Sequence, residues 1–292
     1  MAEQKEDEEQ LVRSLGNSEV SEELKEKSQC LTFKLKLIII ISASVLIAGA
    51  TITIILLLLL KDNSNNDNNN KYEEDLTPII INPVSNYTHC IIWLHGLYAT
   101  PEKFENLFKT EVPFAKKNNT KIILMRAPHQ IMTFSKENAT SWFDLFTFPI
   151  NNTDCYNFTD VIKSRKMVEK YIEQEAKELN GNYKNIFLGG HSQGACITLH
   201  TAYNYKELLG GVLACSGILF PQGEIVGDKN KLKIFLAHGD KDESIPFDFH
   251  LETVKRIENF EGVKKYYYKG HKHNLADFEK IDMGSFLNES MI

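Results

Sequence analysis

The sequence predicts an α/β domain with a mostly parallel sheet covered by helices on both faces, preceded by a single transmembrane helix. Three observations carry this. After residue 76, short apolar runs alternate with longer segments of helical period. Most of these runs are continuous rather than alternating, as strands buried on both faces are. Upstream, Leu37 to Leu60 runs 24 residues without a charge.

Residues 1–36 carry nine acids against six bases and few apolar groups, which predicts a disordered cytosolic tail. Residues 37–60 are long enough, at about 1.5 Å per residue, to cross about 30 Å of hydrocarbon as a helix. A cleaved signal would have a shorter apolar core behind a short basic head. Lys25, Lys27, Lys34 and Lys36 precede the span, and only Lys61 and Lys71 follow it. Positive charge stays cytosolic, so the expectation is a type II single-pass protein whose remaining mass is lumenal or extracellular. Six Asn-x-Ser/Thr sequons begin at Asn86, Asn118, Asn138, Asn151, Asn157 and Asn288. All follow the span, as in a glycoprotein. Residues 61–76 form an asparagine-rich linker.

The domain is expected over 77–292. Strands are predicted at 79–81, 90–94, 121–125, 185–188, 211–215, 232–237 and 265–268. Helices are predicted at 102–117, 160–179, 193–205, 247–259 and 275–287, with Asp160 capping the second and Gly181 stopping it. A net charge of −6 gives no case for nucleic acid, and five cysteines without a CxxC pair give none for zinc. Cys90 and Cys155 could pair as a disulfide in a lumenal domain, and Cys30 could be palmitoylated.

Chemistry concentrates at Gly190-His191-Ser192-Gln193-Gly194, directly after a strand and directly before a helix. A strand–turn–helix elbow holds a serine hydroxyl above the sheet. Its flanking glycines let the backbone pass, and the helix N-terminus favours developing negative charge. Serine needs a base, and the imidazolium formed needs an acid. The required order, Ser then acid then His, is met downstream by Asp240 or Asp242 and by His271 or His273, each set following a strand. Spacing alone does not choose within either pair. Backbone donors for an oxyanion are expected from Gln193 and from Leu97 in Trp93-Leu94-His95-Gly96-Leu97. His95 has no partner at ligand spacing and reads as structural. No metal is expected.

The motifs WLHGL (93–97), RAPHQ (126–130), SWFDL (141–145), GGHSQGA (189–195), HGDKDESIP (238–246) and GHKH (270–273) stand in one order. In this the chain resembles the acyl-protein thioesterase/carboxylesterase (phospholipase–carboxylesterase) family of α/β-hydrolases over about residues 78–288. The resemblance selects Asp242, just ahead of Ile-Pro, and His273, third after a glycine. It implies a Ser192–His273–Asp242 triad that cleaves acyl esters or thioesters of the carboxylesterase, acyl-protein thioesterase or lysophospholipase type. It implies no cofactor. The family usually has Gly-Asp after HGL, whereas Tyr98-Ala99 stand here. The long loop at 126–160 is rich in aromatics, and Tyr98, Trp142 and Phe143 are the expected walls of an acyl groove. The competing expectations are a silent membrane-tethered binding module on the same fold, and a peptidase or acyltransferase.

Overall fold

The structure, a computed structural model, describes residues 75–152 and 154–291. The expected tail (1–36), span (37–60) and nearly all of the linker lie outside the described residues, as does Cys30. Among the described residues no helix is long and apolar enough to cross a membrane.

Nine strands are described: β1 (Ile79–Ile81), β2 (His89–Leu94), β3 (Thr120–Met125), β4 (His129–Ile131), β5 (Asn138–Thr140), β6 (Ile186–His191), β7 (Gly211–Cys215), β8 (Ile234–Gly239) and β9 (Val263–Tyr268). Seven form one sheet in the order β1-β3-β2-β6-β7-β8-β9. Only β1 runs antiparallel to its neighbour; the other neighbours are parallel. The α-helices are α1 (Phe158–Glu178), α2 (Gln193–Asn204), α3 (Phe247–Ile257) and α4 (Asp277–Ser290).

Side chains of a strand alternate between faces, so a strand covered on both must be apolar throughout. All six residues of β2, HCIIWL, are buried. Cys90, Ile92 and Leu94 join a core with Val168 and Ile172 of α1 and Ile197 of α2. Ile91 and Trp93 join a second core with Met283, Phe286 and Leu287 of α4. Burying each large apolar side chain contributes roughly 1.5–3 kcal/mol, so this doubly covered strand anchors the sheet. Helix α4 packs closely because Gly284 lies against Pro113; a β-carbon there would run into the Pro113 carbonyl.

Four local expectations are corrected. The helix expected at 102–117 is instead a 3₁₀ turn (Pro101–Phe104), a π-helical turn (Leu107–Glu111) and a second 3₁₀ turn (Lys117–Asn119). Pro113 supplies no N–H and holds Val112 extended, which stops the run. Helix α1 is capped by Asn157, whose side chain accepts from the Thr159 N–H, while Asp160 pairs with Lys163. Gly181 does end it, at φ +79°. The 126–160 loop contains the antiparallel hairpin β4–β5. Cys90 and Cys155 are both free and buried, so the disulfide is not formed.

Helix α4 also buries Glu279, whose carboxyl is pushed up to about 7 by burial, against a weaker opposing contribution from Cys215. An unfolded chain ionises this group near 4.5. Between those values the folded protein holds a proton that the unfolded chain has released. Stability contributed here therefore falls as pH rises from about 4.5 to about 7, then levels. Thermal unfolding of Glu279→Gln followed across that window is expected to show a shallower loss of Tm than the parent.

Candidate active site

The strand β6 ends at His191, and Ser192 sits at φ 57°, ψ −124° before α2 begins. Left-handed backbone is costly for a residue with a β-carbon and persists only where its surroundings fix it. Three features fix it. The Ser192 N–H donates to the Cys215 carbonyl of β7 at 2.9 Å, and its carbonyl accepts the first α2 bond from Cys196 at 3.1 Å. Gly190 faces the start of α2, where a β-carbon would fall 2.7 Å from the Ala195 nitrogen. Gly96 approaches Ser192 itself, with room for a β-carbon only 3.0 Å from the serine Cβ.

Asp242 follows β8 and His273 follows β9, so with Ser192 all three stand beyond strand C-termini at one sheet edge. His273 Nε2 lies 2.7 Å from Ser192 Oγ, and His273 Nδ1 lies 2.6 Å from Asp242 Oδ2. A carboxylate only accepts, so Nδ1 carries the proton and Nε2 is left to accept from the serine hydroxyl. Burial alone would raise Asp242. Hydrogen bonds from His238 and His273 outweigh it and hold the carboxyl well below the usual carboxylate range. The two alternatives are placed elsewhere. Asp240 accepts from the Gly270 N–H, and His271 Nε2 is 2.6 Å from the Asn274 carbonyl; both brace the loop that carries His273.

The Gln193 N–H opens α2 and has no acceptor within the helix, as in any first turn. Leu97 lies in a tight turn in which the Ala99 N–H donates to the Gly96 carbonyl at 3.2 Å. Its neighbour Tyr98 takes φ 59° and donates its N–H to the Thr140 carbonyl of β5. His95 is fully buried and pushed down to about 4, by burial above all. Its Nδ1 donates to the Gly96 carbonyl at 2.8 Å and its Nε2 accepts from the Ala127 N–H at 3.1 Å. It shapes the turn and is structural, as expected.

The groove assignment is corrected. Trp142 is 1% exposed and Phe143 0%, whereas Tyr98 is 45% exposed. Trp142 donates its indole N–H to the His95 carbonyl at 2.7 Å, and Phe143 packs edge-on to Phe220. The reason is the Gln193 side chain. Its Oε1 accepts from Ser141 Oγ at 2.9 Å and the Trp142 N–H at 3.0 Å, and its Nε2 donates to the Phe143 carbonyl at 3.0 Å. Residues 141–143 are thereby turned into the core, and the half-exposed aromatics of the loop are Phe146 and Phe148. Sequence reasoning assigned Gln193 a backbone role and missed this clamp, whose signal is a buried amide in the elbow motif. It also missed His238.

A cavity of about 300 Å³ opens beside the imidazole, with Phe104, Leu107, His191, His273 and Leu275 in its walls. His191 is pushed down to about 3, first by burial and then by His273, and adds no charge there. A larger cleft of about 780 Å³ runs along Lys166, Lys170 and Lys206 outside α1 and contains no member of this constellation. Among the described residues no group of three His, Cys, Asp or Glu is placed to hold a metal ion.

Residues 76–291 match the phospholipase/carboxylesterase family model. The chain is similar to acyl-protein thioesterase 1 of Saccharomyces cerevisiae, 27% identical over 213 residues, covering 69% of this chain and 92% of the relative. It is 30% identical over 173 residues to acyl-protein thioesterase 1 homolog 2 of Dictyostelium discoideum, covering 57% and 76%. In fold it is similar to Arabidopsis thaliana SOBER1, with a TM-score of 0.64, 24% identity and 70% and 100% of the two chains covered. A Bacillus cereus carboxylesterase gives 0.61 at 16% identity, covering 75% and 96%.

Proposed function

The chain belongs to the phospholipase/carboxylesterase family of α/β-hydrolases and is a serine hydrolase of esters or thioesters; from that premise we propose that Ser192, His273 and Asp242 are its catalytic triad. One observation carries the proposal: a single imidazole bridges the Ser192 hydroxyl at 2.7 Å and the Asp242 carboxylate at 2.6 Å. His273 Nε2 takes the hydroxyl proton as Ser192 Oγ attacks the acyl carbonyl carbon. The N–H groups of Leu97 and Gln193 hold the resulting oxyanion. Collapse breaks the ester or thioester bond, and the imidazolium returns its proton to the departing alkoxide or thiolate. Water, deprotonated by His273, then releases the acid from Ser192. Asp242 holds the imidazole in the required tautomer and offsets its transient charge.

The names of the similar proteins favour an acyl thioester as substrate, and the half-exposed Tyr98, beside the Gly96 turn that approaches Ser192, supplies apolar surface for an acyl chain. A fluorophosphonate probe tests the triad against the silent-module alternative. Labelling mapped to Ser192 in the folded protein is expected; folded protein that resists the probe sinks the enzyme reading.

Anchoring by residues 37–60, with the hydrolase domain lumenal or extracellular, belongs to the same proposal. The uncharged 24-residue run and the lysines ahead of it support this. Asn86, Asn118 and Asn138 all have exposed side chains, as acceptors of a glycan must. Glycosidase treatment of the cell-expressed chain is expected to increase its gel mobility. A band that does not move counts against the orientation.

A further inference from the structure

The triad carboxylate has more partners than the triad accounts for. Asp242 Oδ1 accepts from the Ser244 and Ile245 N–H groups, both at 2.9 Å. Asp242 Oδ2 accepts from His273, and a second imidazole reaches the same oxygen. His238, the penultimate residue of β8, places Nε2 3.2 Å from Asp242 Oδ2 and 2.8 Å from the Ile245 carbonyl. Both neighbours of that nitrogen are acceptors, so Nε2 carries a proton and shares it between them. The side chains of His238 and Asp242 are both 0% exposed, so no water substitutes for the contact. Three hydrogen bonds and this fourth, 3.2 Å contact surround the carboxylate, so the group cannot turn without breaking one.

We infer that His238 is a positioning residue for the reaction: its Nε2–H keeps the Asp242 carboxylate aimed at His273, and ties it through Ile245 to the turn that follows. The inference rests on Asp242 being the triad acid. Other groups facing His238 do not compete for the task. His250 of α3 lies with its ring 4.7 Å away and is pushed down to about 3, first by burial and then by His238. Tyr267 of β9, the register partner of His238 across the sheet, packs edge-on to His250 and is raised by burial, so it stays neutral. His191 of β6 is neutral for the reason given above. Among the described residues, His238 is the one group besides His273 that brings an N–H to Asp242 Oδ2.

A matched pair of variants isolates that N–H. His238→Gln keeps an amide donor near the Nε2 position, and His238→Met has similar length and bulk without one. At saturating acyl ester, kcat of the methionine variant is expected to fall about 10- to 100-fold, the range for losing a hydrogen bond to a charged group, with KM little changed. The glutamine variant should stay within about threefold of the parent. Equal kcat values for the two, high or low, overturn the inference, because packing alone would move both alike. If the methionine chain does not fold, His238→Asn takes its place: its amide is one methylene too short to reach Oδ2 and should fall as methionine would, and activity equal to glutamine's overturns the inference. Asp242→Asn in the same assay separates the two layers. Near-parental turnover there sinks the triad itself, whereas an inactive asparagine variant beside equal glutamine and methionine variants sinks only the role of His238.

Discussion

Ser192→Ala is expected to lower kcat for an acyl ester by about 10⁵-fold or more, with KM nearly unchanged. The substitution removes one oxygen, the atom that would form the acyl bond, and leaves the donors that would hold the oxyanion. The weak residual rate is theirs. Folding should be unaffected, because among the described residues the hydroxyl bonds only to His273, and the elbow is fixed through its backbone. His273→Ala in the Ser192→Ala background should cost little more, since the imidazole has no proton left to accept and groups acting as a unit are not additive. Steady-state hydrolysis of a chromogenic acyl ester checks both. Turnover of Ser192→Ala within tenfold of the parent would falsify the assignment of the nucleophile.

Gly194→Ala should be severely damaging, acting on fold and turnover together. Gly194 opens the first turn of α2 directly against the end of β2. A β-carbon there would run into the Leu94 carbonyl oxygen, 2.6 Å from the Leu94 carbonyl carbon and 2.7 Å from the His95 oxygen. These are backbone atoms at and just past the end of a central strand, so no side chain can swing away. Overpacking a core costs typically 1–3 kcal/mol, and an obstacle made of backbone on both sides puts this case at the upper end, about 3 kcal/mol or more. The relief available is to move α2 away from β2. That would carry the Gln193 N–H away from Leu97 and release the Gln193 amide from residues 141–143. A lower Tm accompanied by at least a tenfold loss of kcat in the remaining folded protein is expected. A variant that unfolds with the parent and turns over normally would contradict the close approach.

Much of the site could be read along the chain because the chemistry is local at each station. The elbow glycines, the turn at Gly96 and the loops after β8 and β9 all announce themselves within a few residues. Some misreadings were local, and others arose where an outcome depends on a distant partner. The apolar spacing of 102–117 suits a helix, but Pro113 interrupts it. Asn157 caps α1 by its backbone position, although Asp160 is equally suited by type. Trp142 and Phe143 carry the composition of a groove wall, yet Gln193, some fifty residues on, draws them inward. His238 stands at the head of the HGDKDESIP motif, but nothing near it along the chain gives it a task.

By itself the amino-acid order determined the alternation that makes a parallel sheet, the apolar run ahead of it, and the order of serine, aspartate and histidine along that sheet's edge. Periodicity and turn chemistry act over neighbours, and these features need nothing more. Only the tertiary structure chose Asp242 over Asp240 and His273 over His271 by contact, buried the two aromatics, and brought His238 to the carboxylate. Those choices join residues as far as 81 positions apart. They follow from the register of β6, β8 and β9 and from the packing of both sheet faces, which no short stretch of chain encodes.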